Sequence, residues 1–169
     1  MSLFFGCVKM ATPTTRTWIE DLAEKGGGTN VTVRGIVIDL KDGSGLVYRC
    51  PECRRVLRRN LCRIHGEVKG EPDLRMKAVL DDGSEALTAV FDRDLTEALL
   101  EKSLDACIAQ AKEAMSTDVV RDELADELVA QPMEICGDAV SDDHGLLLMS
   151  VKTAKVLRVE VQAERVGQE

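Results

Sequence analysis

Aromatic side chains are nearly missing from this sequence: one Trp, one Tyr and three Phe in 169 residues. That excludes a broad aromatic surface on which successive nucleic-acid bases could stack. No apolar run reaches the roughly 18 residues of a membrane-crossing helix, so no membrane partner is expected. Met1 to Met10 lacks an apolar core with a cleavage site, so no secretory leader is expected either. Internal repeats and low-complexity tracts are absent. No nucleophile stands beside a convincing base, and an enzyme is not expected.

A disulfide framework is missing too. Of six cysteines, Cys7, Cys107 and Cys136 are widely scattered. The other three fall in one short stretch with a histidine: Cys50-Pro51-Glu52-Cys53, then Cys62-Arg63-Ile64-His65. Each turn brings two donors close together. Three sulfurs and one imidazole complete a tetrahedral shell that suits one structural Zn²⁺. No position is left open for water, so the site reads as architectural. A thioredoxin-like pair would need a βαβ setting and would leave Cys62 and His65 unexplained. His65-Gly66-Glu67 matches the H-x-E of nucleobase deaminases. The required P-C-x-x-C does not follow, since only Cys107 and Cys136 remain. Free thiols around a metal point to a reducing cytoplasm.

Charge is unevenly spread. The chain carries a net −8, yet residues 34–77 hold 11 Lys/Arg against 6 Asp/Glu. Arg49, Arg54, Arg55, Arg58, Arg59 and Arg63 form the densest basic cluster, opposed only by Glu52. A local basic field steers a polyanion whatever the total charge is. The bland alternative is a set of solvated arginines that balances the thiolates.

Thr17 with Glu20 gives a capping-box pattern for a short helix from Trp18, which Gly26-Gly27-Gly28 ends. Trp18 is expected to pack that helix on the domain. Val31–Ile38 is β-branched, and Gly35 inside it suggests a bulge. Leu46-Val47-Tyr48 leads into the metal loop. Leu74, Met76, Ala78 and Leu80 alternate with Arg75, Lys77 and Val79, as in a half-buried strand. Asp81-Asp82-Gly83 is a hairpin turn, and Ala86–Phe91 the return strand. Leu100, Leu104, Cys107, Ala111 and Met115 form one helical stripe. Val120, Leu124 and Leu128 line a second helix that starts near Ser116-Thr117-Asp118 and ends before Pro132. Strands return at Met133–Val140 and from Leu146, the last running to about Val161. His144 falls in the turn between them and reads as solvated.

Three strands, a helical connection and two more strands make a mainly β fold, a five-stranded OB-fold barrel with helices between strands 3 and 4. The expected division is an N-terminal extension with a short helix (1–28), the OB domain (29–163) and a frayed tail (164–169). The zinc loop (46–70) falls between the first strands, and the helical insertion spans 92–131. In an OB-fold the ligand lies across strands 2–3 and the loops beside them. The metal loop would therefore overhang it, with Ser141–Gly145 at the other side.

The stretches Leu46–Arg55, Cys62–Gly66, Asp73–Lys77 and Ala89–Leu100 resemble the zinc-bearing OB domain of archaeal replication protein A and its associated proteins. The likeness covers about residues 29–160. It implies single-stranded DNA binding in replication and repair, within an assembly of other replication protein A subunits or OB domains. It also implies that Cys50, Cys53, Cys62 and His65 are the ligands. Arg34, Arg49, Arg54, Arg55, Arg58, Arg59, Arg75 and Lys77 are the expected phosphate contacts, with Tyr48 and Phe91 as base stackers. The alternative is an assembly subunit that binds no DNA and docks through its acidic helical region, Asp118 to Glu127.

Overall fold

Alternation along the strands sets the architecture. The computed structural model describes residues 15–157. Its elements are α1 (Ile19–Lys25), β1 (Gly27–Leu40), β2 (Gly45–Arg49), β3 (Leu61–Cys62), β4 (Gly66–Glu67), β5 (Glu71–Asp81), β6 (Ala86–Phe91), α2 (Arg93–Leu100), α3 (Leu104–Ala114), α4 (Asp118–Leu128), β7 (Pro132–Ser141) and β8 (Leu147–Val156). The expected strand end near Val161, the tail from Glu164 and the leader reading of Met1–Met10 fall outside the described residues.

On β5 the period-2 pattern holds: Leu74, Met76, Ala78 and Leu80 are fully buried, while Arg75, Lys77 and Val79 are half-buried on the other face. β1 is long enough to serve two neighbours. Its first part pairs antiparallel with β7 and its last with β5. β5 continues to β6, β6 runs parallel to β8, and β8 returns to β7. The pairings thus lead from β1 round to β1. β2 adds a sixth, outer strand against the start of β5, and β3–β4 form a separate small ribbon.

Several expectations are corrected. β1 shifts register twice, against β7 between Gly28 and Val31 and against β5 between Val37 and Asp39, and neither shift is at Gly35. Gly35 has a different role. A side chain there would stand 2.6 Å from the Asp81 carbonyl oxygen, so glycine permits β1 to cross the end of β5. The capping box of α1 does not form. Trp18 is the cap and makes no side-chain cap hydrogen bond. The Ile19 N–H instead donates to Asp82 Oδ2 (2.9 Å), and Glu20 N–H to Ser84 Oγ (3.3 Å), both on the β5–β6 hairpin. Ile19 and Leu22 pack this helix into the core. Trp18 stays 45% exposed, with the Arg16 guanidinium 4.1 Å from its ring. Gly26 ends α1 in the left-handed conformation, as the glycine run implies.

The long helical stripe is two helices. Glu101 turns left-handed after α2, and Ser103 caps α3 through its hydroxyl. Cys107 is buried, but Met115 is the left-handed C-cap and is 92% exposed. Val120, Leu124 and Leu128 face the core from α4. His144 is exposed in the β7–β8 turn. Among the described residues no helix is long and apolar enough to cross a membrane.

Candidate metal centre and nucleic-acid interface

The loop from Cys50 to Gly70 folds back on the end of β2. Leu57 N–H donates to the Tyr48 carbonyl (2.7 Å), and Cys50 N–H to that of Arg55 (2.9 Å). A second turn follows, in which Leu61 N–H donates to the Arg58 carbonyl (3.0 Å). Its middle residues, Arg59 and Asn60, are both left-handed, with φ of 52° and 62°. Glycine or asparagine suits such positions. An arginine there costs about 1 kcal/mol of backbone strain. Arg54 is left-handed as well.

These two turns bring Cys50, Cys53, Cys62 and His65 together, with all four ligand atoms within 4.8 Å of one another. Cys53 Sγ and Cys62 Sγ are 3.5 Å apart, and His65 Nδ1 lies 3.4 Å from Cys50 Sγ and 3.7 Å from Cys62 Sγ. A disulfide needs about 2.05 Å, so the sulfurs are unbonded. Tetrahedral zinc with Zn–S near 2.3 Å would set ligands about 3.7 Å apart, and the cluster has that scale. His65 Nε2 faces Glu52 Oε2 at 3.3 Å, which leaves the Nδ1 lone pair free to ligate an ion among the sulfurs. Such an outer carboxylate fixes the imidazole tautomer in metal sites.

Backbone dipoles prepare the thiolates. The His65 and Ile64 N–H groups lower Cys62 to about 6. Cys50 is lowered chiefly by the Cys53 N–H, against the opposing effect of burial. Cys53 also faces a helpful N–H, from Arg55, yet burial and the neighbouring sulfurs push it up. His65 is raised by Cys62 and Cys50. Three sulfurs that repel one another's charge, with an imidazole beside them, are a donor set that a divalent cation would settle.

The basic residues divide into two groups. Arg49 donates to Asp73, which also receives Arg93 Nε at 2.7 Å. Arg54 pairs with Glu71, and Arg34 with Glu134. Arg75 Nε donates to the Gly43 carbonyl (2.7 Å). Among the described residues Lys77 forms no ion pair, and Arg55, Arg58, Arg59 and Arg63 form neither an ion pair nor a side-chain hydrogen bond. These four are exposed, and they line a groove of about 900 Å³ together with Tyr48 and Arg75.

Phe91 is corrected outright. It is 0% exposed and packs with Leu87 and Ala89, so it offers no face to a base. Alternation on β6 carries that signal, because all three share one side of the strand. Arg63 belongs to the groove although it was not among the expected phosphate contacts. Asp73 and Glu52 are also unforeseen. Glu52 lies inside the Cys-x-x-Cys turn, which is the only local hint of its role.

No protein-family model matches the sequence, and no curated protein sequence matches it. Among solved structures, it is similar to a chain of a replication protein A heterotrimer bound to single-stranded DNA, with a TM-score of 0.55 and 14% identity. That match covers 85% of this chain and 36% of the other, so this chain spans about a third of its length. It is also similar to yeast replication protein A bound to single-stranded DNA, with a TM-score of 0.54 and 14% identity, covering 90% of this chain and 94% of that one. At such identities the likeness shows a shared fold alone.

Proposed function

We propose that this chain is a single-stranded DNA-binding module of the replication protein A type, acting in replication or repair beside other OB domains. The archaeal zinc-bearing branch is the one its loop resembles. On this reading 29–163 is a five-stranded OB barrel, preceded by an extension and carrying its loop between the first strands. The setting on this reading is a reducing cytoplasm, where the ligand thiols would stay reduced. One Zn²⁺ would be held by Cys50, Cys53, Cys62 and His65, supplying a fixed cross-link in place of a core. Glu52 holds the imidazole, and the loop holds its arginines.

One observation carries the reading: four unpaired arginines gather beside a tyrosine, on a fold shared with chains solved on single-stranded DNA. A fluorescence titration with oligo-dT across salt tests it. Counterion release predicts a log–log slope near −0.7 per phosphate contacted. With Tyr48 the one aromatic that lines the groove among the described residues, affinity should be modest and strongly salt-dependent. The absence of binding at low salt overturns the proposal. Co-purification with a partner OB protein without DNA would then favour docking through the exposed acids of α4, Asp118, Asp122, Asp126 and Glu127.

A further inference from the structure

We infer that the phosphate backbone of the bound strand runs through the groove beside β2, and not across the outer face of β5 and β6. This rests on the single-strand-binding reading above and gives it a path.

The register separates the two surfaces. Leu46 pairs with Leu74 on the core side of β2 and β5, and Tyr48 continues that side beyond the core. Arg49, Asp73, Arg75 and Lys77 lie on the opposite, outer side, Arg75 at the rim it shares with the groove. There the charge is largely neutralised, since Asp73 takes Arg49 and Arg93, and Glu71 takes Arg54. Arg75, which donates to the Gly43 carbonyl, and Lys77, flanked by Val79 and Val90, are left, and Phe91 is buried. That surface has two strand cations outside any ion pair, against four in the groove, and no aromatic face among the described residues.

The β2 groove has what the outer face lacks. β2 is the outermost strand of its sheet, and residues 55–57 pair with its end at residues 48–50, which brings the loop's arginines to the groove wall. Arg55, Arg58, Arg59 and Arg63 line the groove, with the Tyr48 ring at the strand end. Arg59 keeps a left-handed backbone that glycine would adopt without strain. An outlier held at such a point fits a residue retained for its side chain. The groove's volume of about 900 Å³ falls within the ~300–1,000 Å³ that holds a drug-sized ligand. That is room for a few nucleotides of a single strand. A second hollow, about 440 Å³ beside Ile36, Ile38 and Leu157, is lined by Asp81 and Asp82 as well as Arg16 and Arg34, and a third, about 390 Å³ beside Trp18, is lined by Glu20, Asp21 and Asp82, so neither offers a polyanion a basic wall.

The experiment is a salt titration with oligo-dT, joined to photo-cross-linking of a strand carrying 5-iodouracil. The combined Arg55→Gln, Arg58→Gln, Arg59→Gln and Arg63→Gln variant should reduce the slope by about 0.7 for each phosphate it no longer neutralises. Lys77→Gln should leave at most one phosphate unneutralised. Adducts on the native protein should map to residues 46–63. Adducts confined to 77–90, or a larger fall in slope from Lys77→Gln than from the arginine set, overturn the path and leave the proposed function standing. If the arginine variant loses zinc, the adduct map on unaltered protein decides. Failure of the native protein to bind oligo-dT overturns both.

Discussion

The body of the fold and its cysteine loop are held by different forces. In the body, 25 buried side chains from helices and strands form one continuous cluster. The loop's own cluster has three, Cys50, Leu57 and Cys62, and two of them are proposed ligands. Burial at about 25 cal/mol per Å² can hold the first. It cannot hold the second, which in addition keeps Arg54, Arg59 and Asn60 in left-handed backbone. On the proposed reading, the difference teaches that the loop's order, and with it the arginine groove, would depend on coordination, whereas the body would not.

The largest effect should follow from breaking coordination. Structural zinc contributes about 10–16 kcal/mol in small metal-folded units. Chelation, or Cys62→Ala, should strip amide-exchange protection from residues 50–70 and leave protection in β1, β5 and β7 unchanged. Retained protection in the loop would mean that apolar packing suffices there, and the contrast would fail.

The converse perturbation is smaller. Ile135 is fully buried on β7. Ile135→Ala should destabilise the body by about 2–5 kcal/mol, seen in denaturant unfolding, through reduced transfer energy and a residual cavity. Zinc stoichiometry should not change. A parallel fall in metal affinity would show that the two regions unfold as one unit.

Legibility in the sequence follows the range of the forces. The Cys/His spacing, the alternation of β5 and the stop at Gly26 are local patterns, and all could be read directly. The split between Leu100 and Leu104 was hidden because the helical spacing continues across Ser103. The partners of the arginines were not legible at all. Arg49 meets Asp73 across 24 residues, and Asp82 caps Ile19 across 63. Such pairs exist only once strand register is set. Counting arginines therefore found the basic region, but it could not tell neutralised cations from free ones.

The smallest effect concerns the residue that joins the two regions. Asp73, only 7% exposed, accepts hydrogen bonds from Arg49 at the base of the loop and Arg93 at the start of α2. Burial alone would raise its carboxyl pKa, but the two guanidiniums outweigh that and hold it below the ordinary carboxylate value. A depressed folded value means stability that is complete above the unfolded pKa of about 3.9 and is lost as pH falls through the folded one. Asp73→Asn should therefore cost about 1 kcal/mol at neutral pH, since Arg49 and Arg93 are partly solvated. It should also flatten the stability–pH curve below about pH 4. Because the Arg49 guanidinium also donates to the Arg54 carbonyl (3.0 Å), the same change should loosen the loop's base without releasing its metal. Exchange protection lost at residues 49–55 with zinc retained would locate the joint at Asp73. An unchanged acid limb would assign it elsewhere.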